Sequence, residues 1–366
     1  MSAGWLEIAA GGALIVLVLW DTFETMILPR SVTSPIRLAF LVNRTVWRAW
    51  RAIVFGLASV RRHERYLGFY GPLSVLLMLV LWAVALIAGF AVIGVGLGSR
   101  WVAPEGAATF KTALYVSGTT FFTLGLGDVH PVGTWTRALV VAESGTGFGF
   151  LAIGISYLPV LYQSFSRREV QITLLDAWAG SPPSAVELLR RLSAAGAVGS
   201  VHGFLKEWER WSSEVLEGHI SYPQVAYFRS QHGKQSWVAS LTAVLDVSAL
   251  VLTGIRGLPE WQARVTFAIA RHAAVDLGQI LHAPPIESAR MTADACDRLI
   301  AAVEGAGLQF EHDDAPRRLL RFRNLYEPYV AGLAAELAME LPPWIRDGAG
   351  RDNWEATPKT RVEVHL

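Results

Sequence analysis

From Tyr70 to Leu97 the chain carries no charged residue. The hydrocarbon core of a bilayer takes about 20 apolar helical residues, so this run reads as a membrane-spanning helix around which everything else must be arranged. A second run, Ala138 to Ser166, holds Glu143 as its one charge. A third extends from Leu6 to Leu28 with its apolar heart at Leu14 to Trp20; Glu7, Asp21 and Glu24 are expected near its ends. A cleavable leader is the alternative for this third run. It lacks a basic start and a small-residue cleavage site before a polar mature start. Composition agrees with a lipid environment. Only 17% of the 366 residues are charged, against about 25% in a typical soluble protein, and the 14 tryptophans suit membrane interfaces. A net charge of +1 argues against a nucleic-acid partner. The single cysteine, Cys296, excludes an internal disulfide framework and any multi-cysteine metal site.

Arginines cluster between the first two spans, at Arg30, Arg37, Arg44, Arg48, Arg51, Arg61, Arg62 and Arg65. The positive-inside rule places this stretch in the cytoplasm. Arg167 and Arg168, after the last span, belong on the same side. That arrangement has three spans, the N-terminus outside and the C-terminus inside. Ile36 to Val60 carries its arginines at helical spacing beside Leu38, Phe40, Leu41, Val46, Trp47, Ile53, Val54 and Phe55. It reads as a basic amphipathic helix on the inner leaflet. A voltage-sensing fourth span is the rival, and the acidic neighbours such a helix needs are missing.

Between the two strong spans lies Ala107 to Phe122, too short to cross a bilayer and too apolar for a solvent loop. It fits a half-helix entering from outside. Thr120, Phe121, Phe122, Thr123, Leu124, Gly125, Leu126, Gly127 and Asp128 follow, with Pro131 beyond. Glycines in such a run permit unusual dihedrals, and a strand of this kind can turn successive carbonyls toward one axis. Rings of carbonyls that replace a cation's hydration shell are the physical basis of potassium selectivity. Backbone of this kind survives at membrane depth only when buried in protein or lining water, and the negative end of the half-helix favours a cation. A plain glycine-rich turn between two helices is the simpler alternative, but a turn needs no apolar helix before it.

This segment resembles the pore domain of the tetrameric potassium channels, whose signature is Thr-x-x-Thr-x-Gly-Tyr-Gly-Asp between an outer and an inner helix. Thr120 and Thr123 match the threonines, Gly125 and Gly127 the glycines, and Asp128 the acid at the outer mouth. The resemblance covers roughly Tyr70 to Arg168. It implies a filter of backbone carbonyls at Thr123, Leu124, Gly125, Leu126 and Gly127 holding permeant potassium ions, with Thr120 in support. One loop per chain cannot close a ring, so a homotetramer in a lipid bilayer is implied. Gly147 falls where the family often keeps a hinge glycine. Phe148, Leu151 and Ile155 follow a helical step and either line the cavity, form a hydrophobic gate, or simply pack. Glu143 either braces the filter from behind, bonds a neighbouring subunit, or sits high enough to be solvated. Pro159 is a candidate kink, and His130 reads as an exposed turn histidine. One departure matters: the family's tyrosine is Leu126 and its usual valine Leu124. The hydroxyl that ties the filter to its pore helix is absent, which opens weakly selective sodium and potassium conduction as an alternative.

From about Val170 the composition becomes that of a soluble helical domain. Apolar residues recur at helical spacing over Ala185 to Ala195, Phe204 to Leu216, Ser236 to Leu252, Glu260 to Leu281, Ser288 to Val303 and Ala315 to Met339. Residues beyond Pro342 read as a polar, frayed end. Tyr222, Tyr227, Phe228, Arg229, His232 and Lys234 form a cluster open to an anion or peptide, with helix packing as the plainer reading. The scattered histidines show no metal-ligand spacing, and no Gly-x-Gly-x-x-Gly nucleotide fingerprint is present. The expected fold is an all-α membrane protein, divided as 1–30 N-terminal membrane helix, 31–69 basic interfacial segment, 70–168 pore domain, 169–345 helical cytoplasmic domain and 346–366 flexible tail. No catalytic constellation is found, so the expectation is a channel without enzyme activity or cofactor. A non-conducting receptor or scaffold is the rival of another class. An unidentified ligand or partner of the helical domain stays open.

Overall fold

The computed structural model describes residues 2–28, 38–59, 62–102, 109–288, 290–346 and 352–355. Arg30, Arg37, Arg61 and the end of the chain after residue 355 lie outside them. Among the described residues the fold is all-α apart from two three-residue strands. Three helices among the described residues are long and apolar enough to cross a membrane. The described residues divide into two compact units, one running to Tyr162 and one from Gln163, so the division falls six residues before the boundary expected at Arg168. The N-terminal helix, expected as a domain by itself, belongs to the first unit.

In the first unit, α1 (Ser2–Met26) packs antiparallel against α4 (Tyr70–Gly96). Glycine makes the approach close. A Cβ on Gly4 would stand 2.7 Å from the Gly96 carbonyl oxygen, and one on Gly11 would stand 2.8 Å from the Ile93 side chain and overlap the Gly89 carbonyl. Without a hydrophobic driving force between lipid-embedded helices, such backbone-to-backbone packing supplies the attraction. Below this seam, Asp21 is buried rather than placed in solvent. Its carboxylate accepts from the Trp82 indole N–H (2.9 Å) and from the Ala39 backbone N–H (3.2 Å). The acid thereby satisfies an orphan donor at the start of α2 (Leu38–Leu57). The Tyr70 hydroxyl reaches the Asn43 carbonyl (2.5 Å) and side chain (2.7 Å), and the Trp50 indole donates to the Tyr66 carbonyl (3.1 Å) in α3 (His63–Gly68). Val18, Ala39, Met78, Trp82, Leu86, Phe121 and Phe150 form the core of this unit.

Strand β1 (Arg100–Val102) pairs antiparallel with β2 (His130–Val132). These strands went unread in the sequence because three residues are too few for an alternating pattern to register. Between them stands α5 (Phe110–Phe121). It begins after Ala107 because Thr109 caps it: the Thr109 hydroxyl accepts from the Thr112 N–H (3.4 Å), and the Thr109 N–H donates to the Thr112 hydroxyl (3.1 Å). Helix α6 (Thr134–Ala179) runs unbroken through Pro159. Its 46 residues span about 69 Å at 1.5 Å per residue.

The second unit is built around α9 (Trp237–Leu252), whose sixteen residues are all buried. A helix this apolar, with its few polar side chains buried and bonded, belongs at the centre of a domain. Around it lie α7 (Ala185–Ala194), α8 (Val201–Ser221), α10 (Glu260–Ile280), α12 (Ala315–Asn324) and α13 (Glu327–Leu337), with α11 (Ala293–Gly305) against α7 and α12. The single helix expected over Ala315 to Met339 is two, broken at Leu325 and Tyr326. Pro328 enters the first turn of α13 with no N–H to continue the ladder. Tyr326 is fully buried and gives its hydroxyl to Asp246 (2.5 Å), whose carboxylate also takes two bonds from Arg290 (2.8 and 2.6 Å). Helix α11 starts at Ala293, not Ser288, because Thr292 caps it (3.3 Å) and Ile286 instead donates to the Pro328 carbonyl (3.0 Å).

The described part of the end expected to fray is packed. Trp344 is 4% and Asp352 1% exposed. Asp352 accepts from the Ser181 N–H (3.0 Å), Arg191 (2.5 Å) and Arg346 (2.7 Å), and the Trp354 N–H donates to Asp176 (3.1 Å). Asp352, read as solvent-seeking, is instead a buried partner for two partly exposed arginines. In the cluster at Tyr222 to Lys234, Tyr227 and Phe228 are buried, and Arg229 donates to the carbonyls of Leu337 (2.7 Å) and Ala338 (3.0 Å). The plainer packing reading describes them.

Candidate functional site: the pore segment

The chain leaves α5 through a tight carbonyl exchange. Phe122 N–H donates to the Gly118 carbonyl (3.1 Å), Thr123 N–H to Thr120 (2.9 Å), and Leu124 N–H to Thr119 (2.8 Å). Then the backbone alternates. Thr123 (φ 56°), Gly125 (φ 53°) and Gly127 (φ 78°) sit in the left-handed region, and Leu124 and Leu126 between them do not. In a regular strand successive carbonyls point to opposite sides. Left-handed residues at every second position break that regular alternation; the one at Thr123 is also the left-handed residue of a Schellman helix end, with the Leu124 N–H reaching back to Thr119 and the Thr123 N–H to Thr120. Glycine adopts this conformation freely. Thr123 does so at a cost of about 1–2 kcal/mol, held by the bonds its own and the next N–H make to the end of α5.

The side chains of Leu124 and Leu126 are 62% and 64% exposed. They do not pack back against their own α5, as a filter strand read from a single chain implies. Asp128 is exposed and accepts from the Tyr115 hydroxyl (2.8 Å). Tyr115, on α5, thus ties the end of the segment to the half-helix, a job that sequence reading left unfilled when it noted the missing filter tyrosine. The signal was there: a tyrosine in an apolar half-helix needs a partner for its hydroxyl. Thr120 is half-buried, and its neighbour Thr119, which sequence reading passed over, supplies the carbonyl that receives both Leu124 (2.8 Å) and Gly125 (3.4 Å). His130 is exposed, within β2.

Glu143 is 3% exposed, so solvation is excluded within the chain itself. Its carboxyl bonds the Ser117 hydroxyl, which also reaches the Ile87 carbonyl (2.8 Å). Three helices meet at that point: α4, α5 and α6. Four residues on, a Cβ at Gly147 would overlap the carbonyl of Phe121. The glycine lets the last turn of α5 rest on the backbone of α6, while Phe121 is fully buried against Phe150 (ring centroids 5.7 Å). Gly147 therefore has a packing reason of its own, and α6 runs through it without interruption. Phe148 (70% exposed) and Ile155 (71%) stand out on one face of α6, with Leu151 beside them more covered at 37%. Among the described residues no three His, Cys, Asp or Glu side chains gather as a metal site.

Two helices long and apolar enough to cross a membrane, with a half-helix and its alternating strand between them, make up this part of the first unit. Residues 74–163 match the family described as Ion channel, which places the ion-channel domain here. An uncharacterized membrane protein of Bacillus subtilis, YdjJ, is 24% identical over 213 residues, covering 54% of this chain and 57% of that protein. The chain thus spans somewhat over half the length of this relative. No solved structure matches it.

Proposed function

We propose that the protein is a homotetrameric potassium channel whose filter is the carbonyl run Thr123, Leu124, Gly125, Leu126 and Gly127. The left-handed φ at positions 123, 125 and 127 supports this reading, because a backbone of alternating handedness is one way to turn consecutive oxygens toward one axis. Four copies close the ring. The exposed Leu124 and Leu126 side chains then find their packing against neighbouring subunits. Asp128 stands at the outer mouth, held by Tyr115; Thr120 supports the filter from α5, and Glu143 braces α5 from behind through Ser117. Gly147 sets the fit of α5 on α6, and Phe148, Leu151 and Ile155 line the cavity or its gate. The arginine-rich side faces the cytoplasm, and with it the helical unit, which passes a signal to α6. Transport of this kind makes and breaks no covalent bond, so no enzyme activity or resident cofactor is assigned; potassium is the cargo.

The test is potassium flux into liposomes holding the purified full chain, with barium block and the variant Gly125→Ala. A Cβ at a left-handed position strains the alternation, so the variant is expected to lose flux. Equal flux from parent and variant refutes the filter assignment. No flux from either favours a receptor or scaffold. A second reading, weakly selective cation conduction, draws on Leu126 in place of the family's tyrosine. Reversal potentials in mixed potassium and sodium separate the two.

A further inference from the structure

Between Glu24 and Glu64 the chain contains seven arginines and no acidic residue or lysine. Helix α2, in the middle of this stretch, presents three faces. Asn43, Trp47 and Val54 are buried in the first unit. A second face is apolar and bare, with Ile53 54% and Leu57 84% exposed. The third carries Arg44, Arg48 and Arg51 at positions that repeat every three or four residues, flanked by exposed Leu41 and Phe55. Helix α3 adds exposed Arg65, with Arg62 just before it and exposed Tyr66 and Phe69 beside it; exposed Glu64 offsets one of these charges, so the surface stays basic through the arginines of α2. The collar is not a loose arm. Asp21 fixes its start, Tyr70 holds Asn43, and Trp50 and the Phe55–His63 ring contact (4.6 Å) tie α2 to α3.

We propose that α2 and α3 form a docking surface for anionic phospholipid headgroups. Charge complementarity is joined there to apolar reach. Each arginine near a negatively charged leaflet adds to its attraction, and guanidinium forks match phosphate oxygens. Exposed Ile53, Phe55 and Leu57 have a natural environment in the acyl region just beneath those phosphates. A nucleic acid offers nothing for these apolar side chains to bury. A second copy of the chain brings the same excess of arginine and repels it. The surface also begins where α1 ends and finishes where α4 begins, so it is held at the level where a bilayer's headgroups lie. The inference rests on the membrane location of α1 and α4 and not on ion conduction.

The full chain is reconstituted in vesicles of equal parts phosphatidylcholine and phosphatidylglycerol, re-extracted in mild detergent, and freed of loose lipid by gel filtration. Retained phospholipid classes are then quantified. The parent is expected to retain phosphatidylglycerol well above the vesicle ratio and to release it as salt rises, because exposed charges are screened. Replacing exposed Arg48, Arg62 and Arg65 by Gln should lower the enrichment by about fivefold per arginine in the limit where each acts alone, and replacing them by Lys should largely preserve it. Should the triple Gln variant fail to fold, Arg48→Gln and the salt titration of the parent decide the matter. Retention at the vesicle ratio in the parent, or the same enrichment in parent and Gln variants, overturns the proposal. Neither result depends on whether the channel conducts.

Discussion

Gly147→Ala offers the sharpest probe of how the pore segment is held. The Cβ would overlap the carbonyl of Phe121, a backbone atom that no rotamer change can move away. At Gly145 and Gly149, on the same helix, a Cβ meets nothing within 4 Å. Alanine in a helix interior is favoured over glycine by about 0.5–1 kcal/mol, so Gly145→Ala and Gly149→Ala should hold or raise stability. At Gly147 the same gain is opposed by overpacking worth about 1–3 kcal/mol. The end of α5 must move off α6 or α6 must bend. Thermal unfolding in detergent should therefore place Gly147→Ala below the other two by about 2–4 °C for each kcal/mol of difference. Liposome flux should fall in the same variant, because the filter hangs from the turn that is displaced. If Gly147→Ala melts and conducts like Gly149→Ala, the close seat of α5 on α6 is wrong.

Three further outcomes follow from buried polar groups. Ser117→Ala and Glu143→Ala remove the two ends of one brace, so a double-mutant cycle on thermal stability should show a coupling of about 0.5–3 kcal/mol; additive losses would mean the two residues act separately. His219 is buried; its Nδ1 donates to the Val215 carbonyl (2.7 Å), and Nε2 faces the Arg168 guanidinium (3.2 Å). Burial, with the charge of Arg168, pushes its pKa down to about 3. The unfolded chain takes a proton near pH 6.5 that the folded chain refuses, so stability is lost as pH falls from there toward 3. Between pH 7 and 5 the loss should be about 2 kcal/mol, and chemical denaturation of His219→Gln should lack that part of the slope. Asp352→Ala leaves the partly exposed Arg191 and Arg346 without an acceptor they share, a loss of about 1–3 kcal/mol. Limited trypsin digestion should then release the C-terminal segment much sooner than from the parent.

Much of the pore half was legible in the linear sequence because lipid imposes one-dimensional rules. An uncharged run as long as Tyr70 to Leu97 has few other uses, and the glycine spacing at 125 and 127 announces left-handed backbone wherever it lies. The half-helix was placed to within three residues, and its start waited on a threonine cap that periodicity does not reveal. The amphipathic character of α2 was likewise written in the spacing of its arginines. In the second unit the helices were visible by their periodicity, whereas the break at Tyr326 was masked by apolar residues on both sides of Pro328.

Other features depended on which residues the chain brings together from far apart. Nothing local says that Gly11 will face Gly89, that Asp21 will cap a helix eighteen residues on, or that Ser117 will meet Glu143. The same is true of Tyr115 and Asp128, and of Asp352 reaching back to Ser181. Patterns of hydrophobicity and conformational freedom are properties of neighbouring residues, so they can be read along the chain. A hydrogen bond between buried groups, or the space left by a missing side chain, exists only between surfaces that folding has brought into contact, and the three-dimensional packing alone decides it.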